Sequence, residues 1–164
     1  MKDYKRFLDR FFEKVKEAGI DIIGLQLDHI AYYTASKEEY DELKPEFEAL
    51  GDFDHEAIIS SRRVGVITLD EPFVYKDYKI EAAELIEPKD GETHSSGWEH
   101  AEFVTGEGYN VILEKYPNIK WETGSMNRPI YSHITAILDT DLKLKFHDKS
   151  ILECIRIERE QGSQ

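Results

Sequence analysis

Cysteine is almost missing from these 164 residues: Cys154 stands alone. A disulfide framework is excluded, and a reducing cytosol is the expected home. Long apolar runs are missing too. No stretch approaches the roughly 20 residues of a membrane span. Charges recur every few residues along positions 1–19, unlike a secretory leader. Positive charge is scarce, with 21 Lys and Arg against 34 Asp and Glu and a net charge of -13. Such a chain repels phosphate backbones and anionic lipid, so neither nucleic acid nor membrane is an expected partner. Gly106 and Gly108 lack the further Gly and Lys of a phosphate loop. No Ser-His-Asp order stands out.

What is present suits a core. The chain is 40% hydrophobic and 12% aromatic. The expectation is one domain over 1–164, monomeric or homodimeric. Tyr4, Phe7, Leu8, Phe11, Phe12 and Val15 recur at helical spacing, predicting an amphipathic helix over 3–18 that Gly19 ends. Residues 25–34 read as a strand. A helix follows from a Ser36 or Thr34 cap to about Leu50, with Pro45 predicting a kink or early break and Gly51 closing it. Strands are expected over 56–59, 64–69 and 78–86, then a polar loop to Gly97. The pattern restarts with a strand over 98–105, a helix over 108–116, strands over 130–138 and 142–146, and a closing helix from Ser150.

That restart is an internal repeat. LDHIAYYTASKEEYDELKPEF lies over WEHAEFVTGEGYNVILEKYPN with His29 on His100, an offset of 71 (100 minus 29). A second echo sets Ser61-Arg62-Arg63-Val64 over Asn127-Arg128-Pro129-Ile130, an offset of 66 (127 minus 61). The fold class expected is α+β: two βαβββ modules, over 25–91 and 97–157, forming a curved mixed sheet around a cleft. An extra N-terminal helix over 1–22 precedes them.

Equivalent strands carry His29 and His100, so a pseudo-twofold brings both to the shared cleft. Two neutral imidazoles suit zinc, nickel, manganese or iron(II). Glu84, on the last strand of the first module, points inward with Ala82 and Ile86, while Glu81 and Glu87 point away. Two His and one carboxylate leave open positions, as in a catalytic metal site. Tyr33, on the His29 face, and Glu102, two residues from His100, are candidate acids or bases. Arg63 and Arg128, from the echoing stretches, are candidates to hold a substrate anion bidentately. Trp98 is read as sharing the His100 face and walling the pocket. Cys154 reads as helix packing, and His55 and His94 as loop residues exposed to solvent.

Leu27-Asp28-His29-Ile30-Ala31, Glu84-Leu85-Ile86-Glu87-Pro88-Lys89 and Gly97-Trp98-Glu99-His100-Ala101-Glu102-Phe103-Val104 resemble the YecM-like family, of the vicinal-oxygen-chelate superfamily. The resemblance runs from about Leu25 to Ile155, and GWEHAEFV is its specific part. It implies metal ligands at His29, His100 and Glu84, with no settled reaction. One departure stands out. Superfamily enzymes usually carry a second Glu on the final strand, and here that strand reads Leu142-Lys143-Leu144-Lys145-Phe146-His147. His147 or a water is then the candidate fourth ligand, with His133 a further one. The function expected is a metal-dependent enzyme acting on a small oxygen-rich metabolite by isomerase, lyase or dioxygenase chemistry. The alternative is a protein of the same fold that binds or sequesters a small molecule.

Overall fold

A computed structural model describes residues 3–162. Helix α1 (Tyr4–Glu17) starts where Asp3 accepts from the backbone N–H of Lys5 and Arg6, and Gly19, at φ 70, turns the chain out of it. Strand β1 (Gln26–Tyr33) leads to α2 (Lys37–Glu48), capped by Ser36 on the Glu39 N–H. Pro45 does not break that helix, which continues to Glu48. Gly51 opens the next strand instead of closing the helix. A side chain there would run into the Thr68 carbonyl of the neighbouring strand, so only glycine fits.

Strands β2 (Gly51–Ile59), β3 (Arg62–Tyr75) and β4 (Tyr78–Ile86) complete the first module. The second comprises β5 (Gly97–Val104), α3 (Tyr109–Lys115), a two-residue β6 (Trp121–Glu122), β7 (His133–Asp139) and β8 (Leu142–His147). Helix α4 (Ile151–Gly162) closes the chain. The expected strand start at Ile130 moves to His133, because Tyr131 takes φ 59, outside extended geometry.

Among the described residues eight strands form one curved mixed sheet, ordered β2-β3-β4-β1-β5-β8-β7-β6. The order is a palindrome about the antiparallel β1–β5 pair. Strands β1 and β5 begin and end 71 residues apart (97 minus 26, 104 minus 33), in the register the histidines imply. The second echo does not superpose. Val66 faces Glu84 and Thr135 faces Lys145 in the paired strands, so β3 and β7 correspond at an offset of 69 (135 minus 66), not 66. Arg62 and Arg63 therefore have no arginine mate across the repeat.

One face of the sheet carries the main core. Phe11 of α1 is fully buried and stacks on Phe103 of β5, with centroids 6.1 Å apart. Leu8, Val15, Leu27, Ile30, Ile134, Leu144 and Ile112 of α3 join it. Helix α2 covers the same face farther along, packing Tyr40 and Phe47 against Tyr32, Ile67, Ala83 and Leu85. The N-terminal helix is thus core packing. The opposite face is left for the cleft, edged by α4, whose Ile151 and Ile155 pack on Val66 and Ala82. Among the described residues, no helix is long and apolar enough to cross a membrane.

Candidate metal centre

Two bulges in the central strand pair build the site. Leu27 faces Phe103 and His29 faces Glu102, so Asp28 is an extra residue on β1. Ala31 faces His100 and Tyr32 faces Trp98, so Glu99 is an extra residue on β5. The bulged residues are repeat mates (99 minus 28 is again 71). A bulge re-aims side chains that plain alternation would place elsewhere. Each sets a carboxylate beside its neighbouring histidine. Each also resets the alternation beyond it.

That reset corrects one expectation. Trp98 does not share the His100 face. It packs on the helix side against Tyr32, Phe47 and Phe73. Arg63 is also on that side. Its Nε donates to Glu87 at 2.7 Å and its Nη1 to Asp41 at 2.6 Å, with the guanidinium 4.2 Å from the Tyr40 ring centre. It pins α2 to the sheet and does not line the cleft. Arg62 does, together with Arg128. Strand alternation sends neighbouring arginines to opposite faces. The Arg62 Nε is buried with no hydrogen-bond partner, and its guanidinium lies 5.2 Å from the Tyr33 ring centre.

At the cleft floor, buried His29, Glu84, His100 and Glu102 offer ligand atoms all within 4.8 Å of one another. His29 Nε2 lies 3.6 Å from Glu84 and 3.4 Å from Glu102. His100 Nε2 lies 3.5 Å from Glu84 and 3.1 Å from Glu102. Neither Nε2 makes a hydrogen bond of proper geometry. Donor atoms on a tetrahedral zinc ion stand about 3.3 Å apart, given bonds of about 2.0–2.1 Å. The spacing here matches.

The imidazoles are also oriented. His29 Nδ1 and Asp28 Oδ2 are 2.8 Å apart, and Asp28 accepts as well from the Ile151 N–H at the start of α4. A carboxylate behind a histidine fixes the ring and leaves the outer nitrogen for a metal. Glu99 stands behind His100 less closely, 3.7 Å from Nδ1, and pairs with Lys143 at 3.1 Å.

Charge tells the same story. Burial pulls the His29 pKa down, but Glu102, Glu84 and Asp28 push it well above the usual imidazole value. Burial and Lys145 lower that of His100, and Glu102, Glu84 and Glu99 raise it to about 9. Burial opposes ionisation of Glu84, yet the two histidines hold it far below the usual carboxylate range. The four side chains thus gather positive charge wherever it is offered, by protons or by a cation. Imidazole nitrogen and carboxylate oxygen suit zinc, nickel, manganese or iron(II), and the residues fit such an ion.

His147, a candidate fourth ligand, is buried on β8 just outside this group. Its Nε2 lies 3.5 Å from Asp28 and 3.7 Å from Glu102. With Asp28 and His29 it forms a second cluster. His133 lines the cleft, its Nδ1 3.0 Å from the Tyr131 carbonyl oxygen. Tyr33 lines it too, stacked on His94 at 4.3 Å. His55 and His94 are half-buried, and His55 belongs to β2, not a loop. Asp28, Glu99 and Lys145 were missed as site residues. An acid before each repeat histidine was the signal for the first two.

The cleft has a volume of about 570 Å³, within the range of small-molecule sites. Among solved structures, a structural-genomics protein designated EC4020 is 23% identical over 93% of this chain and 87% of its own, with a TM-score of 0.78. Two variants of Streptomyces coelicolor methylmalonyl-CoA epimerase, each in complex with 2-nitronate-propionyl-CoA, are also similar. One is 10% identical over 75% of this chain and 94% of its own, with a TM-score of 0.51. The other is 9% identical over 74% and 94%, with a TM-score of 0.50. At these identities the likeness is one of fold. No curated protein matches the chain. The family described as YecM protein matches residues 1–158, and the chain therefore belongs to the YecM family.

Proposed function

We propose that the chain is a metal-dependent enzyme of the vicinal-oxygen-chelate type, acting on a small metabolite that presents two adjacent oxygens. One observation carries this reading: two buried histidine Nε2 atoms without hydrogen-bond partners, aimed at two carboxylates on the floor of a cleft. Buried polar groups are normally paired, and two unpartnered imidazole nitrogens converging on two carboxylates are a donor set that a divalent ion would satisfy. The fold shared with methylmalonyl-CoA epimerase supports it.

His29, Glu84 and His100 would hold the divalent ion. When bound, the ion polarises substrate oxygens and stabilises negative charge that develops on them. Asp28 keeps the His29 ring in place during that work. Tyr33 presents a phenol that donates a hydrogen bond or proton at neutral pH. Arg62 and Arg128 stand along the same cleft and would take the outer, anionic end of the substrate. Isomerase, lyase and dioxygenase chemistry all use these parts.

The test is metal analysis of untagged protein, followed by a thermal-shift screen of small 2-oxo and 2-hydroxy carboxylates with and without metal. About one metal per chain, and tighter anion binding to the loaded protein, are expected because each ligand strengthens the other. Metal content near zero after reconstitution with zinc, nickel, manganese and iron(II) would sink the proposal. Ligands that bind equally well without metal would make the chain a sequestration protein.

A further inference from the structure

Among the carboxylates of the cluster the twofold match between the modules breaks at two positions. The histidines face Ala82 and Lys143 in the flanking parallel strands. Two residues farther along each strand stand Glu84 and Lys145, so Lys145 occupies the position of Glu84 in the second module. Glu102 is the mate of Ala31 (102 minus 71). The second module has thus exchanged a carboxylate on β8 for one on β5, and put an ammonium in the vacated place.

The two changes touch. Lys145 Nζ lies 3.1 Å from Glu102 Oε1. That oxygen is also the one nearest both histidines, 3.1 Å from His100 Nε2 and 3.4 Å from His29 Nε2. The other oxygen, Oε2, turns to His147 at 3.7 Å. A second buried carboxylate opposite Glu84 is costly unless a cation neutralises it, and a buried lysine likewise needs an anion.

We propose that Glu102 is the fourth protein ligand of the metal, and that Lys145 is the positioning residue that holds its Oε1 on the centre. The inference rests on the metal-centre reading above. It assigns no ligand role to His147 and makes the two strands interchangeable as the source of the carboxylate.

The exchange can be made experimentally. Zinc affinity is measured by chelator competition, folding by near-UV circular dichroism, and the ligand set by the visible spectrum of the cobalt(II)-loaded protein. Glu102→Gln should weaken zinc binding by about tenfold or more, the scale on which metal-site contacts act, and should change the cobalt spectrum. Adding Lys145→Glu to it returns a carboxylate from the symmetric position and should recover most of the loss. Adding Lys145→Met removes only the charge and should recover less. Unchanged zinc binding by Glu102→Gln in a wild-type background that binds zinc overturns this proposal alone. Equal recovery by the Glu and Met partners also overturns it, because charge and not ligation would then explain the effect. A wild-type protein that binds no divalent metal removes both readings together. Should Glu102→Gln alone not fold, the two double variants are compared directly, and only tighter zinc binding with Lys145→Glu upholds the proposal.

Discussion

The two modules share a strand order and a histidine, yet they are covered differently. The first lays a 12-residue helix, α2, on its sheet and has long β2 and β3 strands. The second has a seven-residue α3, and its outermost strand is two residues long. Helix α1 spans the difference: its Leu8, Phe11 and Val15 join a core with Phe103, Ile134 and Leu144 of the second module, while its Tyr4 and Phe12 stack on Phe73, Tyr75 and Tyr78 of the first. A half-module cannot bury both its helix and its sheet alone, and each half found a different cover. On the cleft face the modules stay closer to symmetric, since each contributes one buried histidine with a bulged carboxylate just before it.

The largest effect should come from the borrowed cover. Phe11→Ala removes a fully buried α1 ring that stacks on Phe103 of the second module and should cost about 3–5 kcal/mol. Thermal unfolding measures the cost. Hydrogen exchange should locate it in β5, β7 and β8 and leave β2–β3 protected. Equal loss of protection in both modules would erase the distinction.

Next come the symmetric histidines. His29→Ala and His100→Ala should each weaken zinc binding by more than the roughly 100-fold that loss of an outer-shell partner costs at most. Chelator competition should find the two variants within a few-fold of each other. A large gap between them would mean the modules do not contribute alike.

The carboxylates behind the histidines sharpen the comparison further. Asp28 stands 2.8 Å from His29 Nδ1, while Glu99 is 3.7 Å from His100 Nδ1 and tied to Lys143. Asp28→Asn should weaken zinc binding by about tenfold, and Glu99→Gln by clearly less. The reverse order would show that bulge symmetry, not contact distance, governs the imidazoles.

The smallest effect concerns a pair belonging to the α2 cover. Glu56 accepts from the Tyr40 hydroxyl at 2.7 Å and from Lys44 at 3.0 Å. Burial raises its pKa, but Tyr40 and Lys44 outweigh that and hold it below its usual 4.5. A depressed carboxylate stabilises the fold above its unfolded pKa, and that contribution fades as pH falls through the folded value. Glu56→Gln should flatten the acid limb of stability against pH below about 4.5, by under about 1 kcal/mol since the site is partly exposed. Denaturant melts at pH 3 and 7 measure it.

Much of this protein follows from its sequence alone. Apolar spacing marks the helices and main strands, because a 3.6 or 2.0 period is what burying one face requires. The repeat offset of 71 marks the register of β1 and β5, since a duplicated strand pairs with its copy about a twofold axis. It also brings His29 and His100 together, and the inward face of β4 adds Glu84. Tertiary structure alone decided the rest. Strict alternation puts Trp98 beside His100, but a one-residue bulge at Glu99 turns it to the other face. The local sequence marks Glu99 only as an acid before a repeat histidine, and the bulge itself is defined by the partner strand. Arg62 and Arg63 look alike as neighbours, and only the register of β3 against β4 sends one to the cleft and the other to α2. The pairing of Lys145 with Glu102 joins two strands 43 positions apart (145 minus 102), through a contact that only the closed sheet creates.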